Sequence, residues 1–482
     1  MKVNIKHTDQ FSSGAFILNK DRQNYSPFKQ NGQVFLTQEN NNSLKEEILR
    51  LITESKEVLK ICSFIITDNE IFEAILNKAQ SSNISIFILT QLDQAKLKNI
   101  FSLLDYLTEE EIKENPSQTH LMHIKKLFDN GVHVRASVSA HAKFIIADRI
   151  NGFITSANLT TPSLTFNTES GVYLTHKDSG ELDKLFDVIF QMGSSYRQFI
   201  SSAKKNKIFV VQSEIKIKKE LLPDPSASNL RYTYETETSN LYEEIVSIIN
   251  DASDYLYLSS YSIVGLDSLN ELTLALQEAF RREVKINIFC RGMNYRNDHL
   301  TGSQILSLGG CRIFADIFNH SKAIISEKRG MIFTANIDGF HGLKNGFEVG
   351  YILHEPQRQE FLDIHIDLIR SAYYAFDTTP LRTELFQTYS NYEKTKRMNV
   401  PVFADDITIT IKEGLSINET ELSELPLFYG KSKQGEYLIA GNSFFKCRVI
   451  DNNFIITEKE KPRFDLERYI LKYINLKIIS NV

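Results

Sequence analysis

The chain has 482 residues, of which 42% are hydrophobic and 24% are charged, with a formal net charge of −5. These values are typical of a globular protein with several domains, and they argue against a strongly basic nucleic-acid coat. The four cysteines are scattered, which indicates neither a zinc site nor a disulfide framework. No signal-like leader and no run of about 18 apolar residues occurs, so we expect a cytoplasmic protein without a membrane span.

The chain contains two copies of one pattern of helices and strands. Apolar helical stripes begin after Ser43 and after Asn240 at a constant offset of 197 residues, and each start reads as a capping box. Each copy then alternates strands with helices, which is typical of an α/β unit with a largely parallel or mixed sheet. The offset later falls to 179 residues, because the first copy carries about 18 extra residues within 91–125.

This duplication predicts an α/β protein in which two pseudo-symmetric repeats pack around one active site, followed by a small β-rich domain. The predicted parts are an N-terminal extension over 1–34, a first repeat over 35–205, a linker over 206–232, a second repeat over 233–392 and a β-rich C-terminal domain over 393–482. In the last part, two strand-like runs flank Asp451-Asn452-Asn453, which predicts a hairpin.

A motif of polar residues occurs once in each copy. The first copy has His141, Lys143, Asp148, Asn158 and Glu169, and the second has His320, Lys322, Glu327, Asn336 and Glu348. The interval from histidine to the last glutamate is 28 residues in both copies. Strand alternation places each histidine and its lysine on one face, and the asparagines end the next strands. Two lysines and two asparagines in one pocket would balance the charge of a phosphoryl group, and the glutamates would fix the histidine tautomers.

The motif H-x-K-x4-D, with its downstream asparagine and glutamate, resembles that of the phospholipase D superfamily over roughly residues 35–385. The resemblance implies a metal-independent phosphodiesterase without a cofactor. It also implies that His141 is the nucleophile, forming a phosphohistidine, and that His320 is the general acid and later the base. Asp148 and Glu327 would then be mainly structural, although the family has Asp where this chain has Glu327.

Three functions are compatible with this sequence. The first is a nuclease that acts on DNA or RNA, as in bacterial defence systems. The second is a phospholipase or phosphatidyl transferase, and the third is a non-enzymatic subunit that binds nucleic acid or a partner such as an ATPase or helicase. Candidate groove residues for nucleic acid are Arg135, Arg291, Tyr295 and Arg296. Packed or surface positions are expected for His133, His176, His341 and His354.

Overall fold

A computed structural model of the chain describes residues 2–5, 14–24, 31–38, 41–81, 83–92, 116–193, 195–201, 206–208, 219–294, 296–381, 383–385, 387–388, 407–417, 422, 427–432, 435–440, 443–451, 453–459 and 475–476. The extra residues predicted within 91–125 fall largely on 93–115, outside the described residues. No helix in the described part combines the length and the apolar character needed to cross a membrane.

The helices are α1 (Ser43–Glu54), α2 (Asn69–Ser81), α3 (Pro116–Asp129), α4 (Thr161–Thr165), α5 (His176–Met192), α6 (Asn240–Asp251), α7 (Asn270–Arg281), α8 (Asn297–Leu308) and α9 (Glu355–Ser371). Short 3-10 helices cover Lys219–Leu221, Pro225–Ala227 and Leu266–Ser268. The strands are β1 (Lys2–Ile5), β2 (Ala15–Leu18), β3 (Phe35–Thr37), β4 (Val58–Ser63), β5 (Ser85–Thr90), β6 (His133–Ala136), β7 (Phe144–Ala147), β8 (Asn151–Thr155), β9 (Glu169–Tyr173), β10 (Arg197–Ser201), β11 (Asn206–Ile208), β12 (Leu230–Tyr234), β13 (Thr238–Ser239), β14 (Tyr255–Ser259), β15 (Ile263–Val264), β16 (Lys285–Arg291), β17 (Arg312–Asp316), β18 (Ala323–Ser326), β19 (Gly330–Phe333), β20 (Ile337–Asp338), β21 (Phe347–Ile352), β22 (Tyr374–Asp377), β23 (Ile407–Ile411), β24 (Leu427–Ser432), β25 (Gly435–Ala440), β26 (Ser443–Ile450), β27 (Asn453–Lys459) and β28 (Asn475–Leu476).

The central strands of two large mixed sheets follow the same order, one sheet being read in the reverse direction of the other. The nine-stranded sheet runs β11-β10-β6-β5-β4-β7-β8-β9-β3, and the ten-stranded sheet runs β13-β12-β21-β19-β18-β14-β16-β17-β22-β2. In the first sheet β4, β5 and β6 are parallel, whereas β7, β8 and β9 continue antiparallel from β4. The strands β14, β16, β17, β18, β19 and β21 repeat these orientations. The predicted α/β class with mixed sheets is therefore confirmed.

A hydrophobic core joins the two halves. Phe144 and Phe186 of the first half belong to the same buried cluster as Phe347 and Phe361 of the second. The rings of Phe144 and Phe347 meet edge to face, with centroids 6.2 Å apart. Separate cores lie on the other faces of the sheets, beneath α1 to α3 and beneath α6 to α8. Burial of apolar surface therefore holds the halves together, and it fixes the edges where the motif residues meet.

The two predicted capping boxes are wrong, although both predicted helices are present. Neither α1 nor α6 has a side-chain cap at its N-terminus. The Ser43 hydroxyl accepts a hydrogen bond from the N–H of Leu36 (3.0 Å), and the Asn240 amide oxygen accepts one from the N–H of Tyr232 (2.8 Å). Both polar side chains therefore tie a helix to the neighbouring edge strand, because a strand N–H at the sheet edge also needs an acceptor.

The predicted N-terminal extension contributes strands to two sheets. In this part of the chain, β1 pairs with β23 of the seven-stranded C-terminal sheet, and β2 pairs with β22 of the ten-stranded sheet. The predicted linker also contains sheet residues, since β11 pairs with β10 and β12 pairs with β21. The predicted C-terminal hairpin is confirmed: β26 and β27 are antiparallel, and Asp451 between them has a positive φ of 45°.

Two buried histidines outside the motif occupy corresponding positions. His120 in α3 and His299 in α8 are 179 residues apart, as the motif histidines are. Nδ1 of His120 accepts a hydrogen bond from the N–H of Ile66 (3.1 Å), and Nδ1 of His299 accepts one from the N–H of Ile263 (3.0 Å). The opposite ring nitrogen of each donates to a backbone carbonyl oxygen. Both rings are therefore satisfied in the neutral form and serve the fold.

We expect the free energy of unfolding to fall as the pH drops from 6.5 towards 5. Burial lowers the pKa of His120, His299 and His365 to about 4, so the unfolded chain binds up to three more protons in this window. Glu169 has the opposite effect on stability. Burial raises its pKa to about 7, so in this pH window the folded chain binds a proton at Glu169 that the unfolded chain does not bind. In total the unfolded chain still binds about two more protons than the folded chain, so lowering the pH favours unfolding. Urea unfolding at pH 7, 6 and 5 measures how the free energy of unfolding changes with pH. The same change is expected in the control His176→Gln, because His176 is exposed. A free energy of unfolding that does not change with pH would contradict the prediction.

Candidate active site

The two motif histidines lie where the halves of the molecule meet. His141 stands just before β7, and His320 stands just before β18. The backbone N–H of His141 donates to the carbonyl oxygen of Phe347 (3.2 Å), and the N–H of His320 donates to the carbonyl oxygen of Thr168 (3.0 Å). Each histidine is therefore fixed by the backbone of the opposite half, at the start of β21 or just before β9.

The two glutamates bind the histidines crosswise. Glu348 of the second half hydrogen-bonds Nδ1 of His141, and Glu169 of the first half hydrogen-bonds Nδ1 of His320 at 2.6 Å. The second oxygen of each carboxylate accepts a hydrogen bond from a neighbouring hydroxyl, that of Thr334 for Glu348 and that of Ser156 for Glu169. Nδ1 of each ring is therefore held by a carboxylate from the other half, and Lys143 Nζ lies 3.4 Å from Nε2 of His141.

Aromatic rings and lysines complete the surroundings of both histidines. Phe64 meets His141 edge to face with centroids 5.4 Å apart, and Tyr261 meets His320 in the same way at 5.3 Å. Lys143 Nζ donates to the carbonyl oxygen of His141 at 2.6 Å, and Lys322 Nζ donates to that of His320 at 2.7 Å. Both lysines are buried, so two ammonium groups are held close to the histidines and away from bulk water.

The asparagines of the motif present amide atoms without hydrogen-bond partners. Among the described residues, no group pairs with Oδ1 or Nδ2 of Asn158, or with Oδ1 of Asn336, although all three atoms are buried. An unsatisfied buried amide costs about 1–3 kcal/mol, so such groups in a folded protein call for an explanation. A ligand that supplies the missing partners is one explanation, and the position of Asn336 in the same cavity lining as His141 favours it.

The two histidine–glutamate pairs differ in protonation. Burial lowers the pKa of His141. Burial would also raise the pKa of Glu348, but His141 and Lys143 together hold that pKa below its usual value. In the other pair, burial raises the pKa of Glu169 to about 7, against the opposing effects of Lys322 and Ser156. At neutral pH the first pair therefore combines a carboxylate with a neutral imidazole, whereas Glu169 of the second pair is protonated for much of the time.

A cavity of about 350 Å³ adjoins His141. Its lining includes His141, Asn336 and Glu348 together with the loop between β20 and β21, but not His320. The corresponding loop of the first half contains α4 instead. The geometry can therefore admit a group attached to phosphorus on the side of His141.

The motif acids lie apart from this cavity. Asp148 accepts hydrogen bonds from the backbone N–H groups of Lys56, Glu57 and Val58, at 2.7–3.2 Å. Glu327 accepts from the N–H and hydroxyl of Ser253, both at 2.8 Å, and from the two following N–H groups. These contacts give both carboxylates a bridging position at the start of β4 and of β14. Elsewhere in the described residues, no three acidic, histidine or cysteine side chains cluster in a way that would hold a metal ion.

The three candidate groove arginines do not form an exposed basic surface. Arg135 donates to the carbonyl oxygens of Phe190 and Tyr196, so its charge supports the fold. Arg291 is fully buried over the ring of Tyr261, and Arg296 is buried and bound to Asp298 at 2.9 Å. The prediction of an open groove was therefore wrong for these arginines, since partners within the fold take up their charges. Tyr295 lies outside the described residues.

Sequence reasoning missed the two rings that pack on the histidines and the hydroxyls that hold the glutamates. Phe64 and Tyr261 are related by the same 197-residue offset as the helices, so the repeat contained a signal for them. Ser156 and Thr334 come two residues before the two asparagines, and only the structure shows their contacts with the glutamates.

Replacing Glu348 with glutamine should lower the pKa of His141 further. The carboxylate is the favourable charge beside this imidazole, and a neutral amide would support the protonated ring less well. Titration of ¹⁵N-labelled imidazole by NMR measures the pKa. The matched control is Glu327→Gln, which removes the same charge at a position that does not contact His141. An unchanged pKa of His141 in Glu348→Gln would contradict the crossed pairing.

Replacing Asp148 with alanine should destabilise the protein by about 1–3 kcal/mol, because backbone N–H groups at the start of β4 would lose their acceptor. The free energy of urea-induced unfolding measures the loss. The exposed neighbour Arg149 offers a control in Arg149→Ala, for which little change is expected. Equal stability of Asp148→Ala and the parent protein would rule out the bridging role.

Residues 48–191 match the family model described as "Cardiolipin synthase, PLD-like domain". No curated protein sequence matches the chain. Among solved structures, phosphatidylserine synthase from Haemophilus influenzae Rd KW20 has a TM-score of 0.53 at 10% identity, covering 80% of this chain and 95% of that one.

Two further solved structures are similar over smaller parts of the molecule. Polyphosphate kinase from Porphyromonas gingivalis has a TM-score of 0.47 at 13% identity, covering 69% of this chain and 46% of that one. The phospholipase D family member Nuc from Salmonella typhimurium has a TM-score of 0.27 at 15% identity, covering 35% of this chain and 98% of that one. At 10% identity, the likeness to the synthase shows the fold alone. Residues 48–191 therefore resemble a PLD-like domain in sequence, and most of the chain shares the fold of the synthase.

Proposed function

We propose that this protein is a metal-independent phosphodiesterase that cleaves nucleic acid through a phosphohistidine intermediate. The observation that carries the proposal is the pair of crossed histidine–glutamate contacts, in which each half of the molecule supplies the carboxylate for the histidine of the other half. Hydrolysis of a phosphodiester in two steps needs a nucleophile and an acid of this kind.

The charges at the site suit a bound phosphodiester. Lys143 and Lys322 bring two positive charges, Glu348 brings one negative charge, and Glu169 is partly protonated near pH 7. A phosphodiester with one negative charge would compensate the excess. The amide groups of Asn158 and Asn336 would supply hydrogen bonds to its oxygens and gain the partners that they lack among the described residues.

In the first step, the Nε2 lone pair of His141 attacks phosphorus and the bond from phosphorus to the leaving oxygen breaks. The proton of the His320–Glu169 pair passes from Nε2 of His320 to that oxygen, so the leaving group departs as an alcohol. We assign the nucleophile to His141 because burial lowers the pKa of its imidazole and the carboxylate beside it is ionised. Glu348 stabilises the positive charge that develops on the ring.

In the second step, water attacks phosphorus while Nε2 of His320, now unprotonated, takes a proton from the water. The bond from phosphorus to Nε2 of His141 breaks, and the phosphate monoester leaves. His320 thereby regains the proton that it lost, and His141 regains its lone pair. The cycle consumes one water molecule. It requires two histidines that differ in their affinity for a proton.

The cavity beside His141 favours a nucleic-acid substrate over a phospholipid. Its lining mixes the aromatic residues Phe64 and Phe340 with the polar residues Ser139 and Asn345, whereas acyl chains would need continuous apolar walls. A volume of about 350 Å³ suits a nucleoside-sized group.

Cleavage of labelled single- and double-stranded DNA and RNA in excess EDTA tests the proposal, with fluorescent phosphatidylcholine vesicles as the lipid alternative. We expect hydrolysis of at least one nucleic acid in the presence of EDTA. His141→Ala should abolish it, and His320→Ala should slow it by roughly 10²–10⁴-fold, the usual worth of a general acid. His176→Gln, at an exposed helix position, is the matched histidine control and should retain full activity.

The outcomes separate the alternatives. Cleavage that EDTA abolishes would show that the metal-independent mechanism is wrong. Hydrolysis of the vesicles without hydrolysis of nucleic acid would overturn the nuclease assignment. Equal activity of His141→Ala and the parent protein would overturn the proposed nucleophile.

A further inference from the structure

The loop that leads to β21 differs from its counterpart in the first half. After Asn158 the first half forms α4, whereas after Asn336 the second half forms β20, which pairs in parallel with β15. The chain then turns through Gly342 and Gly346, both with positive φ. A Cβ at Gly342 would lie 3.1 Å from the Glu348 carboxylate. The backbone of this loop therefore lies directly against the Glu348 carboxylate, and both Gly342 and Gly346 line the cavity beside His141.

One aromatic ring of this loop is exposed yet fixed in place. Phe340 lines the cavity with 56% of its surface accessible. Its ring packs on Gly265, where an added Cβ would lie 3.1 Å from two of its ring carbons. Asp338 accepts hydrogen bonds from the N–H groups of Phe340 (2.7 Å) and His341 (3.1 Å), and Asn345 donates to the Phe340 carbonyl oxygen (2.9 Å). The loop thus presents a flat apolar face to the cavity.

The remaining walls combine a second apolar side chain with hydrogen-bonding groups. Val138, which is 52% exposed, lines the cavity together with Phe340. Ser139, His341 and Asn345 supply polar atoms to the same lining. A flat ring with polar edges would stack on Phe340 and bond with these groups, as nucleobases do on aromatic side chains.

The charges of the lining disfavour a second phosphate. Asp338 and Glu348 both border the cavity, and its lining includes neither lysine nor arginine among the described residues. The ammonium groups of Lys143 and Lys322 instead bond the carbonyl oxygens of the two histidines. The cavity therefore suits an uncharged group that is attached to the phosphorus.

We propose that this cavity is a nucleobase subsite, with Phe340 as its stacking platform, and this rests on the proposed function. In a displacement the leaving oxygen departs on the side opposite the attacking nitrogen. With His141 attacking, that side faces His320, so the group beside His141 is the nucleoside that stays esterified to phosphorus. The subsite thus selects the retained nucleoside and holds it through the phosphohistidine stage.

Binding of small phosphate monoesters tests the subsite without any turnover. Calorimetry in EDTA would compare thymidine 5′-monophosphate and thymidine 3′-monophosphate with methyl phosphate and glycerol 3-phosphate. One thymidine nucleotide should bind roughly 5- to 100-fold more tightly than methyl phosphate, the range that one base stack gives. Phe340→Ala should remove most of this advantage, while Phe340→Tyr, which keeps the ring, should preserve it. Phe280→Ala, at an equally exposed aromatic residue of α7, is the matched control.

The results separate this inference from the proposed function. Equal affinity of both thymidine nucleotides and methyl phosphate, or an unchanged preference in Phe340→Ala, would overturn the subsite even if the protein cleaves nucleic acid. Tighter binding of glycerol 3-phosphate than of either nucleotide would assign the cavity to a lipid headgroup instead. A strong nucleotide preference in a protein that hydrolyses nothing would leave the subsite standing and overturn the catalytic proposal.

Discussion

The site depends on two hydrogen-bonded pairs that cross between the halves of the molecule. Glu348 holds His141 and Glu169 holds His320, so each carboxylate supports the histidine of the other repeat. A buried carboxylate is costly unless it has partners, and each half supplies those partners to the other. If the halves were separated, the two carboxylates and the two imidazoles would lose these hydrogen-bond partners. Assembly of the site and packing of the shared core are therefore one event.

The backbones of the two halves are alike, but their side chains create a chemical difference. Phe64 packs on one histidine where Tyr261 packs on the other, and Ser156 takes the place that Thr334 has beside the opposite glutamate. The first half has a short helix after its motif asparagine, whereas the second half has a loop that lines the cavity. A two-step reaction is itself asymmetric, since it needs one base and one acid at the same pH. Duplication followed by local divergence is a simple way for a fold to provide both.

The sequence predicted which motif residues lie on or near each strand, but it did not predict which of them contact each other across the interface between the halves. Equal intervals identified the motif residues, because they are set locally by strands and turns. The contact of His141 with Glu348 joins positions 207 residues apart, and no interval distinguishes it from a contact of His141 with Glu169. The failed capping boxes and the buried Arg296 have a different origin, since partners nearby along the chain took up their polar groups. The four-residue strands β1 and β2 are too short to produce a periodic signal.

Those two short strands set the order in which the molecule can be completed during synthesis. β1 pairs with β23, about 400 residues further along the chain, and β2 closes an edge of the second sheet beside β22. At about 5–20 residues per second, the ribosome needs roughly 20–80 seconds to deliver the partner of β1. Until then the first strands to emerge have unpaired edges, which are the usual starting points of aggregation. A ribosome that stalls late would thus release a chain whose first sheet is formed but whose earliest residues still lack their partner.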